Sequence, residues 1–348
     1  MNRYGKSYVG IKGIKAHFLE KNSEHLASHI EVARRYSQCP VRTSCKICGH
    51  KIQFENSLTK HSVPYDLCGF CGHLNGGHVE TPEFLDLLYS DNLLGYANEY
   101  SSSEQESYDQ RLEAIYLPKA EYLSEILSNN SNSVLEDAGL LDVGAGAGYF
   151  LNALEKVGFT NCRGIEVSRD LVAYGTQYGN SVIEQIASED LIGSIDRTDC
   201  SVVSMIGVLE HVQNPLEVLE AVTRNNHVKY LYLSVPLFSL TVFTENIFEN
   251  VAQRHLCGGH THLFTDSSID YLIQHFRLRE LGRWYFGTDI ADLIRSYQVE
   301  LAQKNLNENL QSVFRLKLES MLDELQLVVD KKHFGSEIHL VLKKECAS

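Results

Sequence analysis

The chain has 348 residues, 43% of them hydrophobic, and a formal net charge of −14. That length can bury a substantial core and points to one large domain with a smaller one beside it. The acidic balance argues against a general affinity for nucleic-acid backbones, and the sequence has no apolar run of the ~18 residues a membrane span needs.

Nine cysteines occur in a long chain whose N-terminus, MNRYGKSYVGIKGIKAHF, is mildly basic and lacks a continuous apolar stretch. A reducing cytoplasm is the expected setting, with thiols as metal ligands or buried groups. Residues 1–21 show little periodicity and read as an arm. From Ser23 to Tyr36 the residues Leu26, Ile30 and Ala33 share a helical face, with Ser23 as the cap. Arm and helix make up residues 1–40.

Residues 41–80 carry a strong signal. Cys45 and Cys48 form one C-x-x-C pair and Cys68 and Cys71 a second, with nineteen residues between the pairs. Two such knuckles match a tetrahedral four-thiolate zinc ribbon, and Gly49 and Gly72 permit the tight turns behind them. Four thiolates close the site, so the ion is expected to be structural. Iron suits the same ligands. Cys39, His50 and His73 lie nearby as reserve ligands.

Residues 81–133 read as a helical, tyrosine-rich linker. TPEFLDLLYS at 81–90 is followed by a polar stretch, 91–109, with Tyr89, Tyr96, Tyr100 and Tyr108 in or beside it. It is expected as a loop next to the cleft, where a tyrosine can stack on or bond to a sugar. QRLEAIYLPKAEYLSEILS at 110–128 is helical, kinked or divided at Pro118, and SNNSNS at 128–133 is a boundary.

Residues 134–348 are organised around LLDVGAGAG at 140–148. An apolar strand runs into Gly144, Gly146 and Gly148, and YFLNALEKVG then has helical spacing. The turn therefore sits at a helix N-terminus, where free N–H groups attract a carboxylate or phosphate. A dinucleotide site wants G-x-G-x-x-G/A, and here the third small position is Tyr149. G-x-G-x-G preceded by Asp142 instead resembles the first motif of class I S-adenosylmethionine-dependent methyltransferases. A second strand ends at Glu166, about 20 residues past the turn, where a carboxylate can accept both ribose hydroxyls. SVIEQ is a third strand, and in this family the following IASEDL lies against adenine. Val202–Ile206 form a fourth strand, followed by VLEHV, a signature of small-molecule methyltransferases; Asn214-Pro215 opens a helix and YLYLSVP is a fifth strand. The resemblance over 139–236 implies an α/β, doubly wound, Rossmann-like seven-stranded methyltransferase sheet. It also implies a cofactor site of Asp142, Gly144, Ala145, Gly146, Gly148, Glu166, Val167, Ala187, Ile206 and Glu210.

After the fifth strand, HTHLFT at 260–265 precedes a helix capped by Asp266 or Ser267. This form resembles the corresponding segment of deoxysugar C-methyltransferases, where a histidine placed like His260 serves near the reacting carbon. Their pattern has Glu before it; here the residue is Gly259, beside a flexible point at Gly258-Gly259. His260 is the expected base, with His262 second and His211 bordering cofactor and substrate. FRLRELGRWYF is a sixth strand. Residues 288–330 are a helical insertion in which Leu306, Leu310, Phe314, Leu318, Leu322, Leu325 and Val329 form a stripe. Packing between two helices is the expected use of that stripe, a homodimer contact or lid the sharper one. SEIHLVLKK is the last, antiparallel strand.

A four-cysteine module, then TPEFLDLLYS, then this core resembles the sugar and polysaccharide methyltransferases. The implied activity is methyl transfer from S-adenosylmethionine to a sugar, nucleotide-linked, with Zn2+ as a structural ion and nucleic acid an unlikely partner. Two other classes fit parts of the pattern: an RNA methyltransferase gripping through its zinc module, and a non-catalytic zinc-bearing adaptor. Intact Gly144, Gly146, Gly148 and Glu166 speak against the adaptor.

Overall fold

The structure is a computed structural model that describes residues 1–8, 10–14, 17–53, 55, 57–89, 105–130, 139–179, 182–257 and 260–345. Tyr96, Tyr100, Gly258 and Gly259 lie outside them.

The strands are β1 (Asn2–Tyr4), β2 (Ser57–Lys60), β3 (Val63–Leu67), β4 (Leu74–Gly76), β5 (Leu140–Val143), β6 (Cys162–Glu166), β7 (Ile183–Gln185), β8 (Val202–Ile206), β9 (Tyr230–Pro236), β10 (His262–Leu263), β11 (Leu278–Phe286) and β12 (Glu337–Lys344). The central sheet has eight strands in the order β1-β11-β12-β9-β8-β5-β6-β7. Strands β5 to β9 pair in parallel, while β12 runs antiparallel between β9 and β11.

Seven of these strands sit where hydrophobic runs place them. The eighth, β1, corrects the reading of the N-terminus as an arm. It pairs with β11 in parallel, Arg3 opposite Trp284, and three residues are too few to show a period. The Arg3 guanidinium lies 4.5 Å from the centre of the Trp284 ring, and the Gly5 carbonyl accepts the indole N–H at 3.0 Å.

Strand β9 is buried along its whole length, as expected of a central strand with both faces covered. The helices Leu117–Asn130 and Tyr149–Lys156 pack Leu123, Ile126, Phe150 and Leu154 on one face. Pro215–Arg224 and Asp266–His275 pack Leu219, Val222, Ile269 and Leu272 on the other. The latter helix is capped by Thr265 rather than Asp266 or Ser267, in a capping box with Ser268.

Pro118 shapes the helix before the core. Proline has no N–H to offer the Ala114 carbonyl. The chain answers with a π turn over Leu112–Tyr116, in which the Leu117 N–H reaches back to the Leu112 carbonyl. Tyr108, just upstream, is 2% exposed. It stacks on Tyr149 and Tyr178 at 4.3 and 4.4 Å and donates its hydroxyl to the Ala147 carbonyl. That burial removes Tyr108 as a sugar-stacking residue; it is a wedge behind the glycine turn.

The four-cysteine module is not a separate bead. Its sheet has the order β10-β4-β3-β2, so β10 comes from the segment after β9. Cys45, Cys68 and Cys71 share one apolar cluster with Leu209, Phe264 and Ile269.

In the 288–330 region Leu322 packs with Ile290 and Ile294, and Phe314 meets Tyr297 edge-on. The helix Glu308–Glu319, however, has no buried residue, and Leu310, Val313 and Leu316 are exposed. Of the predicted stripe, Phe314, Leu318, Leu322 and Val329 pack against the residues of Asp289–Gln303, while Leu306, Leu310 and Leu325 are exposed, so the expected helix–helix packing forms over part of its length.

No helix among the described residues is long and apolar enough to cross a membrane.

Candidate active site

The site begins where β5 ends. Gly144, Gly146 and Gly148 have φ of +71°, +55° and +76°, left-handed values that other residues rarely adopt. A Cβ on Gly144 would stand 2.6 Å from Val208 Cγ2, so glycine there lets the loop after β8 lie on the turn. Ala145 is likewise tight: a Cβ on Gly164 of β6 would come within 2.6 Å of it. Gly146 is different, since a Cβ there would meet nothing within 4 Å. One face of the turn is thus open, at the N-terminus of the helix Tyr149–Lys156.

Glu166, at the end of β6, is buried with its carboxylate against that turn. Oε2 accepts the Gly146 N–H at 2.8 Å, and Oε1 accepts the Val167 and Ser168 N–H groups at 2.8 Å each. A carboxylate has about four acceptor sites, so Oε2 keeps capacity for a hydroxyl donor. Val167 and Ala187 are exposed at the rim, and the Ile186 N–H is bound to the Glu166 carbonyl. Asp142 lies beneath, its Oδ1 accepting the Ser204 hydroxyl at 2.6 Å. Burial pushes its carboxyl up to about 7, and the Glu166 charge adds to this. These residues fit S-adenosylmethionine on two counts. The open cradle at Gly146 has helix N–H groups for the amino-acid carboxylate, and Glu166 has lone pairs for the ribose.

The loop after β8 brings Glu210 and His211 beside His260. One ligand-type atom from each of the three lies within 4.8 Å of the others, and the His211 and His260 ring centres are 5.1 Å apart. Glu210 is 4% exposed, and a Cβ on Gly207, just past Ile206, would sit 3.6 Å from its Oε1. Burial pushes its carboxyl up to about 8. His260 is half-buried. Desolvation first, then the neighbouring His211 and His255, hold its imidazole well below the ordinary range. Near neutral pH it is an uncharged imidazole, with a ring lone pair available to a ligand or hydrogen-bond donor.

His262 does not join them. Its side chain is wholly buried, and Nδ1 lies 2.9 Å from Nε2 of His73. It belongs to β10, which starts at His262 and pairs with β4, so its ring lies in the seam with the module, while His260 precedes the strand. His262 is therefore corrected from a catalytic to a packing position, and His73 turns to it rather than to the thiols.

The module's four Sγ atoms lie within 4.8 Å of one another, with Cys45–Cys71 at 3.6 Å and Cys48–Cys68 at 3.5 Å. Four thiolates about 2.3 Å from one ion stand about 3.8 Å apart, so the set fits a tetrahedral ion after slight adjustment. Gly49 and Gly72 both have positive φ, and each donates its N–H to the first cysteine's carbonyl of its pair. Asn75 braces the site, donating to Cys45 Sγ at 3.5 Å and accepting the Lys46 N–H at 2.9 Å.

A buried ion cluster links module and site. Glu80, 2% exposed, accepts from Arg42 at 2.7 Å and Lys46 at 2.9 Å. It also takes the hydroxyl of Thr261, the residue after His260, and its carbonyl accepts from Gln213 at 3.0 Å. A second cluster lies where β9 and β12 pair. Glu337 accepts from Lys119 at 3.2 Å and Ser234 at 3.0 Å, and meets His339 at 2.7 Å. Sequence reasoning missed Glu80, Lys119 and Glu337, because a lone acid or lysine carries no motif. An acid directly after a two-knuckle module was the one available hint for Glu80.

Residues 112–279 match a family model described as a methyltransferase domain. No curated protein matches the chain. Among solved structures it is similar to magnesium protoporphyrin IX methyltransferase from Synechocystis PCC 6803 with bound SAH, at 12% identity and a TM-score of 0.46 over 76% of this chain and 100% of that one. A putative sarcosine dimethylglycine methyltransferase from Galdieria sulphuraria gives 14% and 0.45 over 74% and 98%. Geranyl diphosphate C-methyltransferase from Streptomyces coelicolor A3(2) gives 10% and 0.40 over 70% and 88%.

Proposed function

We propose that this chain, an S-adenosylmethionine-dependent methyltransferase, transfers its methyl group to a sugar, nucleotide-linked, in polysaccharide or related glycan synthesis. The observation that carries the transfer is the joining of Glu166 to the open glycine turn through Gly146 at 2.8 Å, with an uncharged imidazole of the next loops nearby. Support for a sugar comes from the sequence: the order four-cysteine module, TPEFLDLLYS and methyltransferase core resembles sugar methyltransferases. The net charge of −14 argues against RNA.

S-adenosylmethionine supplies a methyl group on a positive sulfonium. The residues of the chain do the rest. The Gly144–Gly148 turn and Glu166 fix the donor's two ends, so that its position relative to an acceptor is set before reaction. Glu210, His211 and His260 form the acceptor side. There the proton of a sugar hydroxyl, or of a carbon beside a ketone, is taken up or stabilised in leaving. The Glu80 cluster and β10 hold Thr261 and His262, and so fix the backbone directly after His260. Zn2+ on Cys45, Cys48, Cys68 and Cys71 is structural and keeps β4 in place as the partner of β10. Reduced thiols suit a cytoplasmic setting.

The test is a turnover screen with methyl-labelled donor over a panel of nucleotide-sugars, with structured RNA in parallel and His260→Ala as the variant. Label on a nucleotide-sugar, reduced at least tenfold in the variant, is the expected result. Label on RNA alone would reject the sugar, and full activity in the variant would reject the role of His260.

A further inference from the structure

Outside the four-cysteine set, one other group among the described residues brings together three side chains able to hold a metal ion: Glu210, His211 and His260. Two features set it apart from a chance meeting of polar groups. Glu210 is 4% exposed, yet its Oε2 has no hydrogen-bond partner, and neither does Nδ1 of His260. Burying such groups without a partner is costly, and a cation would satisfy both at once. Second, the group draws on two loops, those after β8 and β9, and Val208 of the first packs over Gly144. It therefore lies beside the donor cradle and not at a remote surface.

We propose that Glu210, His211 and His260 bind a divalent first-row transition ion, with positions left open for acceptor oxygens. Two imidazoles and one carboxylate are the donor set of ions such as Zn2+, Fe2+ or Co2+, and three protein ligands leave the shell incomplete. Ligand atoms about 2.1 Å from one ion stand roughly 3–3.5 Å apart. The 4.0 Å between His211 Nε2 and Glu210 Oε1 needs only a small side-chain rotation to close. Glu210 binds as the carboxylate, so the ion displaces the proton that burial favours.

The inference deepens the methyl-transfer reading but its binding step does not depend on it. An acceptor hydroxyl on the ion loses its proton more readily, and His260 then acts as a ligand in place of a base.

Co2+ is added to zinc-loaded, full-length protein, followed by calorimetry and visible absorption without donor or acceptor. One equivalent should bind with d–d absorption and no thiolate charge-transfer band. His260→Ala and Glu210→Gln should each weaken binding at least tenfold, with thermal melts confirming that both fold; His211→Ala serves where one does not. No uptake, uptake unchanged in these variants, or a thiolate band showing exchange at the cysteines would overturn the proposal. Because no turnover is measured, a wrong acceptor class leaves the result unaffected.

Discussion

Glu166 and Gly146 lie twenty positions apart in sequence and are joined by a 2.8 Å hydrogen bond from the glycine's N–H to the carboxylate. The bond ties the end of β6 to the turn after β5. The residue proposed to bind ribose thereby also sets the shape of the turn proposed to hold the donor's amino-acid end.

Glu166→Ala should therefore do more than remove a ribose contact. Three backbone N–H groups lose a charged acceptor, each worth ~1.5–3 kcal/mol when buried. Affinity for S-adenosylhomocysteine should fall about 100-fold or more, and the ligand-free melting temperature should drop by several degrees. Calorimetry and a thermal melt report the two effects separately; loss of affinity with an unchanged melt would mean that Glu166 does not brace the turn.

Gly146→Val makes the complementary change. The position has φ +55° and open space around a Cβ, so the side chain enters the cradle instead of clashing with the core. Backbone strain of ~1–2 kcal/mol is expected, with cofactor binding abolished in calorimetry. Retained affinity would place the donor elsewhere.

Asp142 gives a pH prediction. Its carboxyl, ordinarily near 3.8, is raised to about 7 by burial. The folded state thus prefers the protonated form. That contribution is full below the unfolded pKa, declines as pH rises toward 7, and is lost above it. Asp142→Asn keeps an oxygen for the Ser204 hydroxyl and cannot ionise. Its melting temperature relative to wild type should be higher at pH 8 than at pH 5. An equal difference at the two pH values would show that Asp142 does not titrate in this range.

What the sequence revealed divides along the same lines as these residues. The glycine turn, Glu166 and the paired knuckles are local patterns, because strand, turn and helix are contiguous and each knuckle folds on itself. Seven strands of the sheet were legible for the same reason. Strand β1 was not: three residues cannot display a period, and their place depends on Trp284, far along the chain. His262 was misplaced because β10 begins at that residue and pairs it with Asn75 of the module, leaving His260 outside the strand, whereas motif reading had both facing the cleft. Glu80 escaped notice because its partners Arg42, Lys46 and Thr261 converge only after the module docks.

Glu80→Gln tests that docking. It leaves two buried cations facing a neutral amide, and breaking a buried pair from one side costs about 3–5 kcal/mol. Urea unfolding should show a loss of this order, and Arg42→Met with Glu80→Gln should recover part of it. Additive losses would mean that the pair is not coupled in the folded protein.

Removing the ion proposed for the four-cysteine module is expected to reach further than a separable zinc ribbon would allow. Cys68→Ser or chelation should release about one equivalent and unfold β2 to β4. Strand β10 would then lose its only antiparallel partner among the described residues. His73 would no longer bond His262 at 2.9 Å, nor Gly72 accept from Thr265 at 3.1 Å. The eight-stranded sheet has its own core on both faces and should persist, with circular dichroism showing most of the helix signal intact. Hydrogen exchange should rise across 260–265 together with 57–76, and turnover should fall with it while S-adenosylhomocysteine still binds. Exchange confined to 57–76, with turnover unchanged, would instead mark the module as an appendage whose metal the catalytic segment does not need.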